Sequence, residues 1–432
     1  MNASSLQYSN FTANMHPKNI SIFDYTYQLP DEKIAHNPLA ERDASKLLVY
    51  KNGEISQALY KNIADYLPNN SLMVINNTKV IEARILFTKP TGGIIEIFCL
   101  EPYQTINEYN AVMNTQKCIQ YTCLIGGASK WKNGTLHITA TTAENGMANQ
   151  TVTLSATVIN KLADAYIVEF TWQPSNYTFA EILQLFGVIP LPPYIKRKAN
   201  SNDKERYQTI FATQKGSVAA PTAALHFTKE IFTLLDKKNI TQAQVTLHIG
   251  AGTFKPVKAA NMLQHTMHSE WMDINTDTIA QLISKANETI VAVGTTALRT
   301  IESLYWMGVK SSLMPNATLQ QLAIQQWDVY EMPLVQTNYT KAVALQSLLQ
   351  WMLQNNMTQL LVPTQILIAP GYTYRVANAI VTNFHQPQST LLLLVAAAVG
   401  DDWKKIYHYA LQHDFRFLSY GDGSLLYLPT KA

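Results

Sequence analysis

The apolar positions of this 432-residue chain change their period twice. Up to about Arg84, residues 46–50 read as a strand and 72–80 as a buried strand ending in a polar turn, with a short helix expected around 31–35. Beyond Arg84, helical periodicity nearly vanishes. Short alternating segments follow at 93–100, 120–124, 134–141, 151–159 and 165–172, separated by Gly-Gly, Asn-Gly and acidic turns. Strands spaced so closely read as a small β-barrel. From Phe179 helices and strands alternate again. The expected fold is an α/β main domain with a mixed sheet, residues 21–84 and 175–428, into which a small β-barrel domain, residues 85–174, is inserted. Residues 1–20 read as a poorly ordered N-terminal extension.

Five runs in the α/β part are rich in small residues or hydroxyls. The run Gly216-Ser217-Val218-Ala219-Ala220-Pro221-Thr222-Ala223-Ala224-Leu225-His226-Phe227-Thr228 has little volume to give a core. It is either a tight packing joint or a place where backbone approaches a ligand, with Ser217, Thr222 and His226 as hydrogen-bonding groups. Residues 245–249 alternate as a strand that ends in Gly250-Ala251-Gly252-Thr253. The missing third glycine excludes a dinucleotide fingerprint, and His248 taken alone is a core histidine. Residues 290–303 read as an apolar strand, a Gly294-Thr295-Thr296 turn, and a helix carrying Arg299 and Glu302 on adjacent turns. These two are either a surface ion pair or part of an anion pocket at a helix N-terminus.

The fourth run, 366–372, reads as a buried strand closed by Pro370-Gly371. It leads through Thr382-Asn383-Phe384-His385-Gln386-Pro387-Gln388-Ser389 into the leucine-rich stretch 390–399. The fifth, 415–423, sets Ser419, Tyr420 and Asp422 among aromatic residues. Several of these runs follow strands, so their loops should converge at the carboxyl ends of a mixed or parallel sheet, where open α/β sheets bind ligands.

These runs resemble the S-adenosylmethionine:tRNA ribosyltransferase-isomerase family of queuosine biosynthesis. Phe23-Asp24-Tyr25 through Leu29-Pro30, Arg42-Asp43-Ala44-Ser45-Lys46-Leu47-Leu48 and Pro192-Pro193-Tyr194-Ile195-Lys196-Arg197 share the resemblance, which runs from about Ser21 to about Leu428. It implies transfer of the ribosyl part of S-adenosylmethionine to 7-aminomethyl-7-deazaguanine at the tRNA wobble position. The base becomes epoxyqueuosine, and adenine and methionine leave. Departures are few: Ala224 stands for a usual glycine, Gln386 and Gln388 for Leu and Lys, and Gly423-Ser424 for Ala-Met. None removes a hydroxyl, histidine or carboxylate. Residues 1–20 have no counterpart, and 307–326 reads as a lineage-specific elaboration.

Under that reading S-adenosylmethionine is a consumed co-substrate, with no prosthetic group and no metal. His226, His248, Glu302, His385 and Asp422 are the candidates for proton transfer, with His226 and His248 as the leading pair and their division into base and acid open. Glu302 and Asp422 could instead hold ribose hydroxyls or neutralise the sulfonium or amine. Arg299, Thr295 and Thr296 suit the methionine carboxylate, and Asn383 could read a base edge. Ser217, Thr222, Gly250, Gly252, Thr253, Ser419 and Tyr420 complete the expected substrate-binding set.

A net charge of +3 is weak for an RNA-binding protein, but its distribution is uneven. Residues 187–259 hold eleven Lys/Arg against four Asp/Glu. Lys196, Arg197, Lys198 and Arg206 in that stretch are the expected tRNA-phosphate contacts. Three cysteines without a Cys-x-x-Cys spacing, no signal pattern and no membrane-length apolar run fit a cytoplasmic protein, with a monomer favoured. Two rivals remain. Another S-adenosylmethionine-dependent RNA-modifying enzyme, such as a methyltransferase, should show a Gly-rich Rossmann turn, and a non-catalytic tRNA-binding protein should lack the polar loops.

Overall fold

The computed structural model describes residues 16–103, 109–142, 150–248, 257 and 259–429. Its nine-stranded mixed sheet runs in the order Gln359–Thr364, Glu270–Asn275, Thr241–His248, Leu72–Asn76, Ile290–Val293, Ala379–Asn383, Gly423–Tyr427, Lys46–Lys51, Glu54–Leu59. The four strands from Thr241–His248 to Ala379–Asn383 are parallel. Gly423–Tyr427 is antiparallel to Ala379–Asn383, and Lys46–Lys51 is parallel to Gly423–Tyr427. The residues that precede Gly423 therefore lie at the same edge as the carboxyl ends of the parallel strands.

Leu72–Asn76, Ile290–Val293 and Ala379–Asn383 are buried at every position, as parallel strands covered on both faces must be. The two-residue period divides their side chains. Leu72, Val74, Ile290 and Ala292 join Leu48 and Tyr50 in one core, which also takes residues of helices Thr295–Leu313, Lys341–Gln354, Thr390–Val399 and Asp402–Gln412. Met73, Ile75, Val291 and Val293 join Leu47 and Val49 in another, with residues of Tyr60–Tyr66 and Lys229–Asp236.

Helix Thr295–Leu313 starts directly after its strand. Gly294 makes that turn at φ 92°, where an L side chain would be strained. Further along, Gly308 lets Lys341–Gln354 cross closely: a Cβ there would lie 1.9 Å from the Ala344 carbonyl oxygen. Gly308→Ala gains about 1 kcal/mol of helix propensity but overpacks this crossing, and a net loss of about 1–3 kcal/mol is expected in urea melts. An unchanged midpoint would show that the helices separate freely.

A separate, seven-stranded antiparallel sheet runs Gly187–Val188, Arg84–Thr88, Ile94–Pro102, Cys118–Gly126, Tyr166–Gln173, Gln150–Lys161, Leu136–Thr142. One face is apolar and packs with helix Phe179–Phe186 around Phe87, Ile97, Tyr121, Leu154, Phe170 and Trp172. Thr178 and Glu181 close that helix's N-terminus as a capping box. A third, two-stranded sheet pairs Gln214–Ser217 with Thr78–Val80.

Several local expectations change. The run 72–80 splits at Asn77, whose N–H bonds the Val245 carbonyl, so that Thr78–Val80 can leave for its own partner. Ile366 to Ala369 are buried but form no strand. Side chains satisfy that backbone instead: Arg299 bonds the Ile366 carbonyl, and the Tyr330 hydroxyl bonds the Leu367 carbonyl and the Ala369 N–H. The short helix at 31–35 is a 3-10 turn, Asp31–Lys33. In the N-terminal stretch, Ile20 packs with Ile22, Met262 and Leu393, while residues 1–15 lie outside the described residues. The 307–326 stretch starts inside a helix, with Met307 and Val309 fully buried.

Candidate active site

A cleft opens where the parallel strands end. Three features of the chain supply its polar wall. The turn after Ile290–Val293 gives Thr295 and Thr296, the end of Ala379–Asn383 gives Thr382, Asn383 and His385, and the small-residue run gives Ala219 to Ala223. Ser419 and Leu418 close it from the segment before Gly423, and Tyr194 from the far side. The cleft thus brings together Thr222, Thr295, Thr296, Asn383, His385 and Ser419 from regions up to two hundred residues apart in sequence.

Its hydrogen bonds leave specific groups available. Thr222 donates to Asn383 Oδ1 at 2.7 Å, which fixes the amide so that Nδ2 is the remaining donor. Among the described residues, Asn383 Nδ2 and Thr296 Oγ1 are buried without a partner. Buried polar atoms left this way are costly unless a ligand or water meets them. Helix Thr295–Leu313 adds an N-terminus with no side-chain cap. Ser419 shares a 2.7 Å hydrogen bond with the Tyr194 hydroxyl.

His385 lines this cleft with its Nε2 2.8 Å from Thr382 Oγ1, and its N–H donates to the Tyr407 hydroxyl. Burial pushes its imidazole down to about 3. His248 ends strand Thr241–His248 opposite Trp271 and is pushed down to about 4, chiefly by burial. His226 is not part of the cleft lining and is stacked on Tyr60 at 4.3 Å, with Nδ1 facing the Arg42 carbonyl. Burial, opposed by its backbone hydrogen bond and helped by the Arg416 and Arg42 charges, takes it to about 3.

All three histidines are neutral in the folded protein, whereas unfolded imidazole titrates near 6.5. Unfolding therefore takes up protons below pH 6.5. The stability these neutral rings confer is complete above that value and is lost as the pH falls toward 4, by up to about 1.4 kcal/mol per pH unit for each ring. Urea melts between pH 7 and 5 should show the decline, and a flat profile would mean the rings are solvated.

Two carboxylates, Glu302 and Asp422, sit outside the cleft lining with their oxygens engaged by groups of the protein. Glu302 is fully buried and accepts four hydrogen bonds, from the Tyr372 hydroxyl and from the N–H groups of Arg375, Val376 and Ala377. Burial raises its carboxyl, and the four donors pull against that shift. Asp422 accepts from the N–H groups of Lys46 and Arg416 and from the Arg416 guanidinium. It ties the start of strand Lys46–Lys51 to the segment bearing Ser419. Arg299 does not pair with Glu302. It is buried against Glu270, bonds the Ile366 carbonyl, and lines a second cavity.

Ser217 bonds locally to the Ala219 carbonyl, and Tyr420 donates to Asp203. Gly250, Gly252 and Thr253 lie outside the described residues. In the basic run, Arg197 forms a two-pronged pair with buried Asp203, Lys196 pairs with Asp31, and Arg206 bonds the Leu39 and Ala40 carbonyls. Lys198 is exposed. Sequence reasoning missed the second cavity, whose wall includes His265, His268 and Glu270. The cluster of three such groups within six residues was the available signal.

The sequence profile of a family described as queuosine biosynthesis protein matches residues 22–426. An S-adenosylmethionine:tRNA ribosyltransferase-isomerase of Magnetococcus marinus is 33% identical, with 93% of each chain covered. One of the same name from Pelobacter propionicus is 34% identical over 93% of this chain and 98% of its own. A solved S-adenosylmethionine tRNA ribosyltransferase of Thermotoga maritima is 24% identical over 93% of this chain and 99% of its own, with a TM-score of 0.43, a superposition too loose to bear on the site. Identity sustained over nearly the whole length of both relatives, together with the profile match, makes this chain a member of the S-adenosylmethionine:tRNA ribosyltransferase-isomerase family of queuosine biosynthesis proteins.

Proposed function

We propose that this protein transfers and isomerises the ribosyl moiety of S-adenosylmethionine onto 7-aminomethyl-7-deazaguanine at the tRNA wobble position. Epoxyqueuosine-tRNA forms, and adenine and methionine leave. The observation that carries the reading is the cleft itself, where family-specific runs distant in sequence meet around two buried polar atoms without partners. The mixed-sheet part of the chain acts as the catalytic domain in this reading, and the seven-stranded sheet with helix Phe179–Phe186 as an inserted one that ends at Val188, not at 174.

The sulfonium acidifies the C5′ hydrogens, and removal of one as a proton lets its electron pair open the ribose and expel adenine, which takes up a proton. His385 is the cleft-lining candidate for this proton transfer. Its imidazole is neutral and so free to accept a proton, while burial weakens it as a base, so the bound substrate must raise its proton affinity for it to act. Asn383 Nδ2 faces the same space as a donor to a base edge or a ribose oxygen. The base's neutral aminomethyl nitrogen then attacks, and methionine departs as the epoxide closes.

Incubation with S-adenosylmethionine and tRNA bearing the aminomethyl base, followed by nucleoside mass analysis, tests the reading. Epoxyqueuosine with released adenine supports it. A methylated base, or tRNA binding without adenine release, would favour the two rival classes.

For the tRNA backbone, the ion pairs of Lys196 and Arg197 point to other cations. Lys79 and Lys215 are exposed and face each other in register on the strands Thr78–Val80 and Gln214–Ser217. Like charges so placed repel, and the second strand leads straight into the cleft wall. With Lys198 they form the proposed phosphate-contacting set. Replacing Lys79, Lys198 and Lys215 by alanine should lower the salt slope of tRNA affinity by roughly 0.7–0.9 per lost contact. Parallel salt plots for variant and wild type would place the RNA elsewhere.

A further inference from the structure

A second cavity adjoins the cleft, and Ser389 and Leu391, at the start of helix Thr390–Val399, line both. Its wall holds Arg299, Glu270, His265 and His268, with exposed Asp164 also lining it. Helix Thr295–Leu313 thus serves two spaces: Thr295 and Thr296 line the cleft, and Arg299, one turn on, lines the second cavity.

Arg299 is built for an anion. Its side chain is 7% exposed, Nε bonds the Ile366 carbonyl, and Nη1 bonds Glu270. Nη2 is buried and has no partner among the described residues. A guanidinium held on two sides with its third donor left over offers that donor in a fixed direction, and carboxylates are its best-matched acceptors. The paired Glu270 carboxylate lies beside it, where a ligand ammonium would be attracted. An adjacent cation–anion pair is the complement of an α-amino acid, which carries both charges on one carbon.

We propose that this second cavity holds the amino-acid half of S-adenosylmethionine, with Arg299 Nη2 taking the α-carboxylate and Glu270 facing the α-ammonium. The proposal rests on the reading given above, in which S-adenosylmethionine is the substrate. The nucleoside half then occupies the cleft, and the sulfonium lies near the Ser389–Leu391 ridge between them. Thr295 and Thr296 are left to the ribose and base, not to the carboxylate. Exposed Asp164 adds a negative charge to the cavity lining, on the side of a cationic sulfonium ligand.

The test compares S-adenosylmethionine with its decarboxylated analogue, which keeps the sulfonium, the amine and the nucleoside and lacks only the carboxylate. Wild-type protein should bind the analogue roughly 10- to 100-fold more weakly by calorimetry, as loss of one charge-assisted hydrogen bond predicts. Arg299→Lys keeps a cation for Glu270 but removes Nη2. It should bring the two ligands to within about 3-fold of each other and raise the KM for S-adenosylmethionine more than it lowers kcat.

Equal affinity of wild type for both ligands would overturn the proposal without recourse to any variant. So would an Arg299→Lys protein that keeps the wild-type ratio. If wild type binds S-adenosylmethionine but yields no epoxyqueuosine, the functional reading fails while the affinity ratio still decides the carboxylate site.

Discussion

Glu302→Gln is expected to destabilise the protein by about 3–5 kcal/mol and to leave little soluble material at 37 °C. The carboxylate accepts four hydrogen bonds in a fully buried site, three of them from the consecutive N–H groups of residues 375 to 377. An amide of the same size must turn its NH2 toward donors that have no other acceptor. Two charge-assisted bonds are lost, and buried donors are left unpaired. The loop these bonds hold leads into strand Ala379–Asn383, so Glu302 positions Asn383 and His385 from below. Urea melting and expression yield check this. Normal melting with a large kcat defect would instead make Glu302 a catalytic residue.

For His385→Ala the expected signature is the opposite one. Turnover should fall by roughly 10²–10⁴-fold, the range for loss of a general acid–base group. The melting midpoint should move only modestly, because the ring bonds one hydroxyl, that of Thr382, and the backbone bonds to Tyr407 and Tyr27 remain in the variant. His385→Gln, which can still bond Thr382, should restore the midpoint and not the rate. A near-normal kcat in both variants would move proton transfer to another group, with His248 the next to test.

The mixed sheet was legible because its central strands, such as Leu72–Asn76 and Ile290–Val293, are apolar at nearly every position and end in polar turns. The alternating segments between Ile94 and Gln173 were legible for the same reason with the other period. Strands that depend on a neighbour were not. Glu54–Leu59 is half exposed at the sheet edge, and Arg84–Thr88 gains its identity from pairing with Ile94–Pro102. Residues 366–369 misled in the other direction, because apolar content reports burial and not the partner that satisfies the backbone.

The site divides along a similar line. Thr222, Asn383 and His385 were accessible to sequence reasoning because small, polar loops after strands have no core to fill. Glu302, Asp422 and Arg197 were equally conspicuous as charges, yet their partners are backbone amides and Asp203, which only the fold brings near. Residue type marks a group as chemically able. Whether its lone pairs are already spent is decided by segments hundreds of residues away, as with Asp422 and Lys46.

The last strand of the chain, Gly423–Tyr427, lies between Ala379–Asn383 and the N-terminal hairpin of Lys46–Lys51 and Glu54–Leu59. That hairpin therefore has no place in the sheet until Gly423–Tyr427 has left the ribosome. At synthesis rates of roughly 5–20 residues per second, it waits on the order of 20–70 s with an open edge. During that interval the nascent chain exposes a strand with free amide and carbonyl groups, the form most prone to pair with a wrong partner. The candidate cleft, lined by Leu418 and Ser419 just before Gly423, is accordingly among the last parts of the molecule to form, and loss of strand Gly423–Tyr427 would leave both the cleft wall and the N-terminal hairpin without support.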